Sequence, residues 1–479
     1  MRKLLKVLSS IAAVGVVSLV AMGGIHIGSA THPNVVLITV DTLRADHLHS
    51  YGFPFDTSPS IDALAARSVL FERAIAASGY TGPSHASIMT SKYPREHAMG
   101  YNNGHVRLPK QGNLATEFHR AGYATAAFVS SAVVARPSGL DEGFDTYDDA
   151  LPDREPNRVD TFERTAEETT QRALAWLATP REKPFFLWVH YQDPHGPYTP
   201  PPPFRDRFHV PSDGQPELPV LTGETGFGGI PHYQVLKGVR RLGEYESLYA
   251  GEIAYVDHWI GQLLAQAEAR SAPRSVVILL TADHGESFGE DNVYLAHGHS
   301  TAPDLSHVPF ILRLPGRGAE RRAELVSHVD IKPTLLDAAG LAVPPNLEGV
   351  SLVPFLRAGS PIPDRTLYCD IGYELSAYRN STFLRALFVP AKSWALTIFF
   401  QFGQAGRQGE LPQFSNLQAQ QTFAWLGGHT WTRTDPDPRL TSDLRAYFDK
   451  KPVPAGAVVS LSPAEAERLR TLGYGTAAD

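Results

Sequence analysis

Two short runs constrain this chain more than any other feature, because each reads as a buried strand that ends in an acid. Val35-Val36-Leu37-Ile38-Thr39-Val40 is mostly apolar and β-branched, and it runs directly into Asp41. Ser275 to Leu280 is a second such run, followed by Thr281-Ala282-Asp283-His284-Gly285. In open α/β sheets ligands bind beyond the carboxyl ends of the strands, so both runs deliver a carboxylate to one edge.

The stretch YTGPSHASIMTSKYP, Tyr80 to Pro94, supplies the matching nucleophile. Pro83 suits the first turn of a helix, and Ala86, Ile88 and Met89 continue it. Thr81 then sits just before the helix N-terminus, where free N–H groups and the helix dipole favour an anion held against its hydroxyl. Taken alone, this segment fits an ordinary Thr N-cap better, since such caps are common. The two acids and His284 shift the balance. Asp41, Thr81, Asp283 and His284 offer two carboxylates, an imidazole and a hydroxyl, a set that suits a divalent metal able to activate that hydroxyl.

A length of 479 residues, with 43% hydrophobic and 19% charged content, is enough for a sizeable core. The net charge of -7 argues against nucleic acid as a partner. The single cysteine, Cys369, excludes an internal disulfide framework. Residues 1–30 combine Arg2, Lys3 and Lys6 with an apolar stretch from Val7 to Ile25 and a Gly28-Ser29-Ala30 end. That pattern fits a signal peptide or a single N-terminal membrane anchor, and so an exported, periplasmic or extracellular protein.

From His32 strand-like and helix-like segments alternate, the pattern of an α/β domain. Helices are expected over Ser60 to Val69, Asn113 to Ala121, Thr161 to Ala178 and Tyr245 to Ala269, with Asp257 in the last as a structural polar residue. A strand over Phe185 to His190 leads into Asp193-Pro194-His195-Gly196. The Pro- and Gly-rich segment from Pro197 to Arg241 follows as a pocket rim. Beyond Pro354, strands are expected over Thr366 to Ile371 and Phe383 to Phe400, a loop over Gln401 to Gln420, and a capped helix from Ser462 to Gly473.

The segments NVVLITVDTLRADHLHSYG, VHYQDPHGPY, TADHGESFGE, LAHGHS, HVPFILRLPG, HVDIKPTLLDAAGL and LEGVSL occur in this order from Asn34 onward. With these motifs the chain resembles the sulfatase branch of the alkaline phosphatase superfamily over most of its length. The resemblance implies an α/β fold, a large mixed β-sheet flanked by helices on both faces, with a small C-terminal antiparallel sheet subdomain. It divides the chain into residues 32–355, the catalytic domain, and 356–479. It gives His195 and His297 catalytic roles in contacting ester oxygens or protonating the leaving group. His85 and His299 become substrate-binding candidates, and Asp193, His195 and His297 candidate ligands of a second metal.

The departures from the family carry information too. Dedicated sulfatases have Cys or Ser in a C/S-x-P-x-R signature and oxidise it to formylglycine. Here Thr81 and His85 occupy the first and last positions, and oxidising a Thr would give a ketone, so no formylglycine is expected. Asp41-Thr42 replaces two adjacent acids, and FVSSAVVARPSG stands where GK-x-H is expected. The Asp-Thr-Asp-His set is similar to that of the Thr-nucleophile phosphodiesterases and phosphoethanolamine transferases, and DHGESFGEDNVYLAHG resembles the transferases closely. His284 favours zinc or manganese over calcium. The expected activity is hydrolysis of phosphate or sulfate esters of a small molecule, glycan or lipid head group. A phosphoalcohol transferase and a catalytically silent binding protein are the alternatives.

Overall fold

The computed structural model describes residues 32–100, 102, 107–151, 163–223, 225–372, 374–380, 382–388, 417–427, 430–449 and 463. In chain order the main sheet comprises β1 (Asn34–Val40), β2 (Val69–Ile75), β3 (Ala124–Val129), β4 (Thr146–Asp148), β5 (Phe185–Tyr191) and β6 (Val276–Ala282). A small ribbon of β7 (Ser287–Phe288) and β8 (Tyr294–Ala296) follows, and then β9 (His307–Arg313) and β10 (Glu320–Ser327) complete the sheet. The order across its eight strands is β10-β2-β9-β6-β1-β5-β3-β4. β6, β1, β5, β3 and β4 run parallel, whereas β9 is antiparallel to both β6 and β2. The sheet is therefore mixed, as expected.

Every residue of β1 is buried. Successive side chains of a strand point to opposite faces, so both faces of the sheet must be covered. Two sets of helices accompany the sheet. Pro59–Ala65, Ala166–Ala178 and Leu242–Ser271 pack together, and Thr81–Thr90, Leu114–Arg120 and Ile331–Ala338 form another group. Asn113 caps its helix as expected, accepting from Thr116 N at 2.8 Å. In the long helix Ile253, Val256, Ile260 and Leu263 form the buried stripe and Leu248 packs at its margin.

The helix expected over Ser60 to Val69 is shorter, because Val69 opens β2. Glu72 and Arg73 interrupt the apolar run there and hide the strand from a pattern reading; both are only partly buried. Of the helix expected over Thr161 to Ala178, residues 161 and 162 lie outside the described residues, and the helix spans Ala166–Ala178, capped by Thr165, whose side chain accepts from Glu168 N.

A second sheet is antiparallel throughout, with the order β11 (Leu367–Asp370), β12 (Glu374–Arg379), β13 (Thr382–Phe388), β14 (Leu417–Gly427), β15 (Thr430–Arg433). Leu417 to Gln420, expected in a loop, belong to β14, where backbone pairing with β13 overrides their polar composition. Residues 389–416, the expected helix around Ser462 to Gly473 apart from Pro463, and the segment 1–30 lie outside the described residues. Both sheets belong to the unit that starts at Pro33. Asp370 N donates to Ala77 O at 2.9 Å, joining β11 to the segment before Thr81.

Asp257 is structural. From the long helix its two oxygens accept Ser60 N at 2.9 Å and Ile61 N at 2.8 Å, satisfying the first turn of Pro59–Ala65. Asp257→Ala strands both donors in the interior and should lower stability by about 1–3 kcal/mol in urea unfolding. An unchanged midpoint would show that these bonds contribute nothing net.

Candidate metal and nucleophile site

The sheet register assembles the site. Val40 of β1 pairs with Ala282 of β6 on one side and with Tyr191 of β5 on the other. Asp41 and Asp283 therefore leave adjacent parallel strands at the same level and meet beyond the sheet edge. Between them Thr42 adopts φ 53°, a left-handed conformation unfavourable for a β-branched residue. It is held by its N–H, which donates to Asp283 Oδ1 at 3.1 Å, and by its carbonyl, which accepts from Tyr249 OH at 2.7 Å. Strained backbone of this kind costs about 1–3 kcal/mol and concentrates at working sites.

Thr81 opens the helix Thr81–Thr90, with Tyr80 rather than Thr81 at the N-cap position. Thr81 is fully buried. Its Oγ1 lies 3.3 Å from His284 Nε2 and accepts from Asn102 Nδ2 at 3.3 Å, while Asn102 Oδ1 accepts Gly82 N at 2.7 Å. His284 Nδ1 donates to Gly285 O at 2.9 Å, which turns Nε2 toward the cluster. That nitrogen stands 3.9 Å from Asp41 Oδ1 and 3.6 Å from Asp283 Oδ2.

Ligand atoms of Asp41, Asp283 and His284 lie within 4.8 Å of one another. Neither oxygen of Asp41 has a hydrogen-bond partner of ordinary geometry, nor does Asp283 Oδ2, although all three are buried. Asp283 Oδ1 accepts from His284 N at 2.8 Å and from Thr42 N, so Oδ2 is the oxygen turned into the cluster. Buried, unmatched carboxylate oxygens are costly, and their convergence with an imidazole and a hydroxyl fits a divalent metal.

The electrostatics point the same way. Burial, reinforced by the neighbouring Asp283 carboxylate, pushes Asp41 well above the usual carboxylate range, against the opposing pull of His284 and then of the Thr81 hydroxyl. Burial also works against Asp283, but His284, His85 and His190 outweigh it and leave Asp283 low. For His284, Asp283 and Asp41 overcome burial and raise its pKa.

The other expected residues divide. His297 Nδ1 donates to Glu286 Oε1 at 3.1 Å, and its ring lies 4.6 Å from that of His284 and 5.0 Å from that of His195. His195 and His297 thus stand beside the cluster, with Tyr233 of the rim packed on His195. His85 instead lies beneath Thr81. Its Nδ1 is 2.8 Å from Thr81 O, and Nε2 is 3.0 Å from Thr39 Oγ1, which also accepts from Trp188 Nε1. His299 contacts Ser287 Oγ at 3.3 Å behind the ribbon. Asp193 accepts Ala166 N at 2.8 Å, which puts its carboxylate at a helix N-terminus.

Three residues that the sequence reading passed over belong to the site. Asn102 fixes Thr81 and has no sequence signature. Glu286 binds His297, and its Oε2 accepts from Tyr198 OH at 3.0 Å; burial pushes its pKa up to about 7. His190 pairs in register with Thr39, two residues before Asp41, and its Nε2 lies 3.7 Å from Asp41 Oδ2. Its place at the carboxyl end of a buried strand was the available signal.

Fold and site together define an ester hydrolase of the alkaline phosphatase superfamily. The chain belongs to the sulfatase family, whose model matches residues 33–341. A second model, the C-terminal region of N-sulphoglucosamine sulphohydrolase, matches residues 303–403. An arylsulfatase of Clostridium perfringens is 26% identical over 376 residues, covering 67% of this chain and 77% of that protein. A multifunctional alkaline phosphatase superfamily protein of Trinickia caryophylli is 25% identical over 419 residues, covering 72% and 80% respectively. The solved phosphonate monoester hydrolase of Agrobacterium radiobacter shares the fold, with a TM-score of 0.59 at 23% identity over 74% of this chain and 87% of that one. Among the described residues no helix is long and apolar enough to cross a membrane.

Metal binding should be visible as stabilisation. After chelator treatment, zinc or manganese at ~100 times its Kd should stabilise the protein by about 2.7 kcal/mol, read as a rise in Tm. Asp283→Asn should abolish most of that rise. An equal rise in the variant would place the ion elsewhere.

Proposed function

We propose that this chain is a metal-dependent hydrolase of phosphate or sulfate esters in which Thr81 is the nucleophile. The observation that carries the reading is the position of Thr81 Oγ1. It stands at the first turn of its helix, 3.3 Å from His284 Nε2 and beside the unmatched oxygens of Asp41 and Asp283. A divalent ion in this donor set would lower the Thr81 hydroxyl pKa and supply positive charge for the ester oxygens. Thr81 forms a bond to phosphorus or sulfur as the bond to the leaving alcohol breaks, and the Thr81 proton passes to that alcohol by way of Nε2 of His297 or His195, the nitrogen left unprotonated while Nδ1 donates. Water then displaces Thr81, releasing phosphate or sulfate and restoring the hydroxyl. Asn102 holds Oγ1 in line, and Glu286 fixes the His297 tautomer. Formylglycine has no precursor at Thr81, and Cys369 is buried in β11 of the second sheet.

Zinc or manganese is the metal this imidazole-containing set favours over calcium. Names among the relatives support keeping both ester classes, since one is an arylsulfatase and another a multifunctional alkaline phosphatase superfamily protein. The basic, apolar and small-residue pattern of residues 1–30 supports export, and the substrate is an ester of a small molecule, a glycan or a lipid head group. Finding the mature protein in the cytoplasm would refute export.

Thr81→Ala should remove essentially all turnover while changing stability by no more than ~1–2 kcal/mol, and wild-type protein should carry an unmodified Thr by mass spectrometry. Surviving activity would require another nucleophile. Matched aryl phosphate monoester, phosphate diester and sulfate ester substrates decide the class. Transfer to an added alcohol in place of hydrolysis would identify a transferase.

A further inference from the structure

The cluster holds more ligand-type atoms than one ion takes. His190 is fully buried, and neither of its ring nitrogens has a hydrogen-bond partner. Its ring centroid lies 4.9 Å from that of His85, and His85 Nδ1 lies 3.9 Å from Asp283 Oδ2. One ligand atom from each of His85, His190 and Asp283 falls within 4.8 Å of the others. Two atoms sharing a zinc ion, each about 2.0–2.2 Å from it, lie no farther apart than about 4.4 Å, so these side chains need only small adjustments to converge.

At the alternative place for a second ion, between His195 and His297, the carboxylate that is present, Glu286, is already bonded to His297 Nδ1 and Tyr198 OH, and the one expected there is engaged elsewhere. Asp193 accepts the Ala166 N–H at the start of a helix, and releasing it would orphan that donor. Asp283, by contrast, already points Oδ2 at both groups: 3.6 Å from His284 Nε2 on one side and 3.9 Å from His85 Nδ1 on the other.

We propose that His85, His190 and Asp283 form a second transition-metal site, joined to the Asp41–Asp283–His284 site through Asp283 Oδ2. The proposal rests on the metal-dependent reading of the first site. Binding moves the His85 proton from Nδ1 to Nε2. The hydrogen bond to the Thr81 carbonyl is given up, and Nε2–H donates to Thr39 Oγ1 at the existing 3.0 Å. A ligating imidazole whose other nitrogen donates to an oxygen is the usual arrangement at metal centres. Because His85 lies one turn along the helix that Thr81 opens, the second ion ties the nucleophile's helix to the ends of β5 and β6.

Elemental analysis tests the proposal after saturation with zinc and removal of the free ion. Wild type should hold about two ions per chain, His190→Ala about one, and His297→Ala still about two. Anomalous diffraction from zinc-soaked wild-type crystals provides a readout that does not depend on a variant folding. A second peak should lie within about 2.0–2.2 Å of His190 and Asp283 atoms. One ion per chain in wild type overturns the second site and leaves the first intact. A second peak between His195 and His297, or two ions retained in His190→Ala, also overturns it. Zinc-free protein after saturation overturns both sites together.

Discussion

The in-register parallel pairing of β1 with β6 is the constraint on which the site depends. Val40 faces Ala282, so the next residue of one strand and the next of the other are both acids, side by side and buried. Two carboxylates in a low-dielectric interior repel each other and lose hydration together, which is why Asp41 is pushed so far above its ordinary range. The fold tolerates the juxtaposition because the neighbourhood answers it. His284 and Thr81 approach from one side, and His85 and His190 from the other.

That neighbourhood is rigid for reasons that reach into the core. Trp188 is completely buried in β5 and donates to Thr39 of β1; Thr39 in turn meets His85, one helical turn along from Thr81. A core aromatic, a strand hydroxyl and a helix imidazole therefore fix where the helix begins relative to the sheet edge. His328 closes the opposite flank by donating to Ala282 O at 2.9 Å and accepting from Ala77 N at 3.2 Å. Burial lowers its pKa to about 3, so it acts as a neutral bracket.

The legible part of the molecule was the part governed by local pattern. The apolar runs of β1 and β6 and the acids that end them place Asp41 and Asp283 at one edge, and Pro83 marks the helix that carries Thr81. What escaped pattern reading was set by partners distant in sequence. Asn102 reaches Thr81 from a loop, and the N-cap role expected of Thr81 fell to Tyr80 because the helix starts one residue earlier. Leu417 to Gln420, at the end of a Gln-rich segment, became a strand through pairing with β13. Asp193 was drawn to a helix N-terminus contributed by Ala166. A single sequence shows which groups could ligate or cap, whereas tertiary packing decides which of those uses each group is given.

The second sheet has a part in the site although none of its residues enters the cluster. Glu374 of β12 accepts Thr301 N and Thr301 Oγ1, each at 2.8 Å, and Tyr378 OH bonds the Thr301 carbonyl. Arg385 of β13 holds the same Glu374 and also pairs with Asp291 in the turn between β7 and β8. His297 and His299 lie on the segment between that ribbon and Thr301, so both of its ends are tied to the C-terminal sheet. Loops that carry proton-transfer groups are naturally mobile, yet such groups work only when held within a few tenths of an ångström to about an ångström of the reacting atoms. Building the site on strand ends fixes the carboxylates. The His297 imidazole beside them has this separate support, so under the proton-transfer role proposed for His297 the C-terminal sheet positions as well as stabilises.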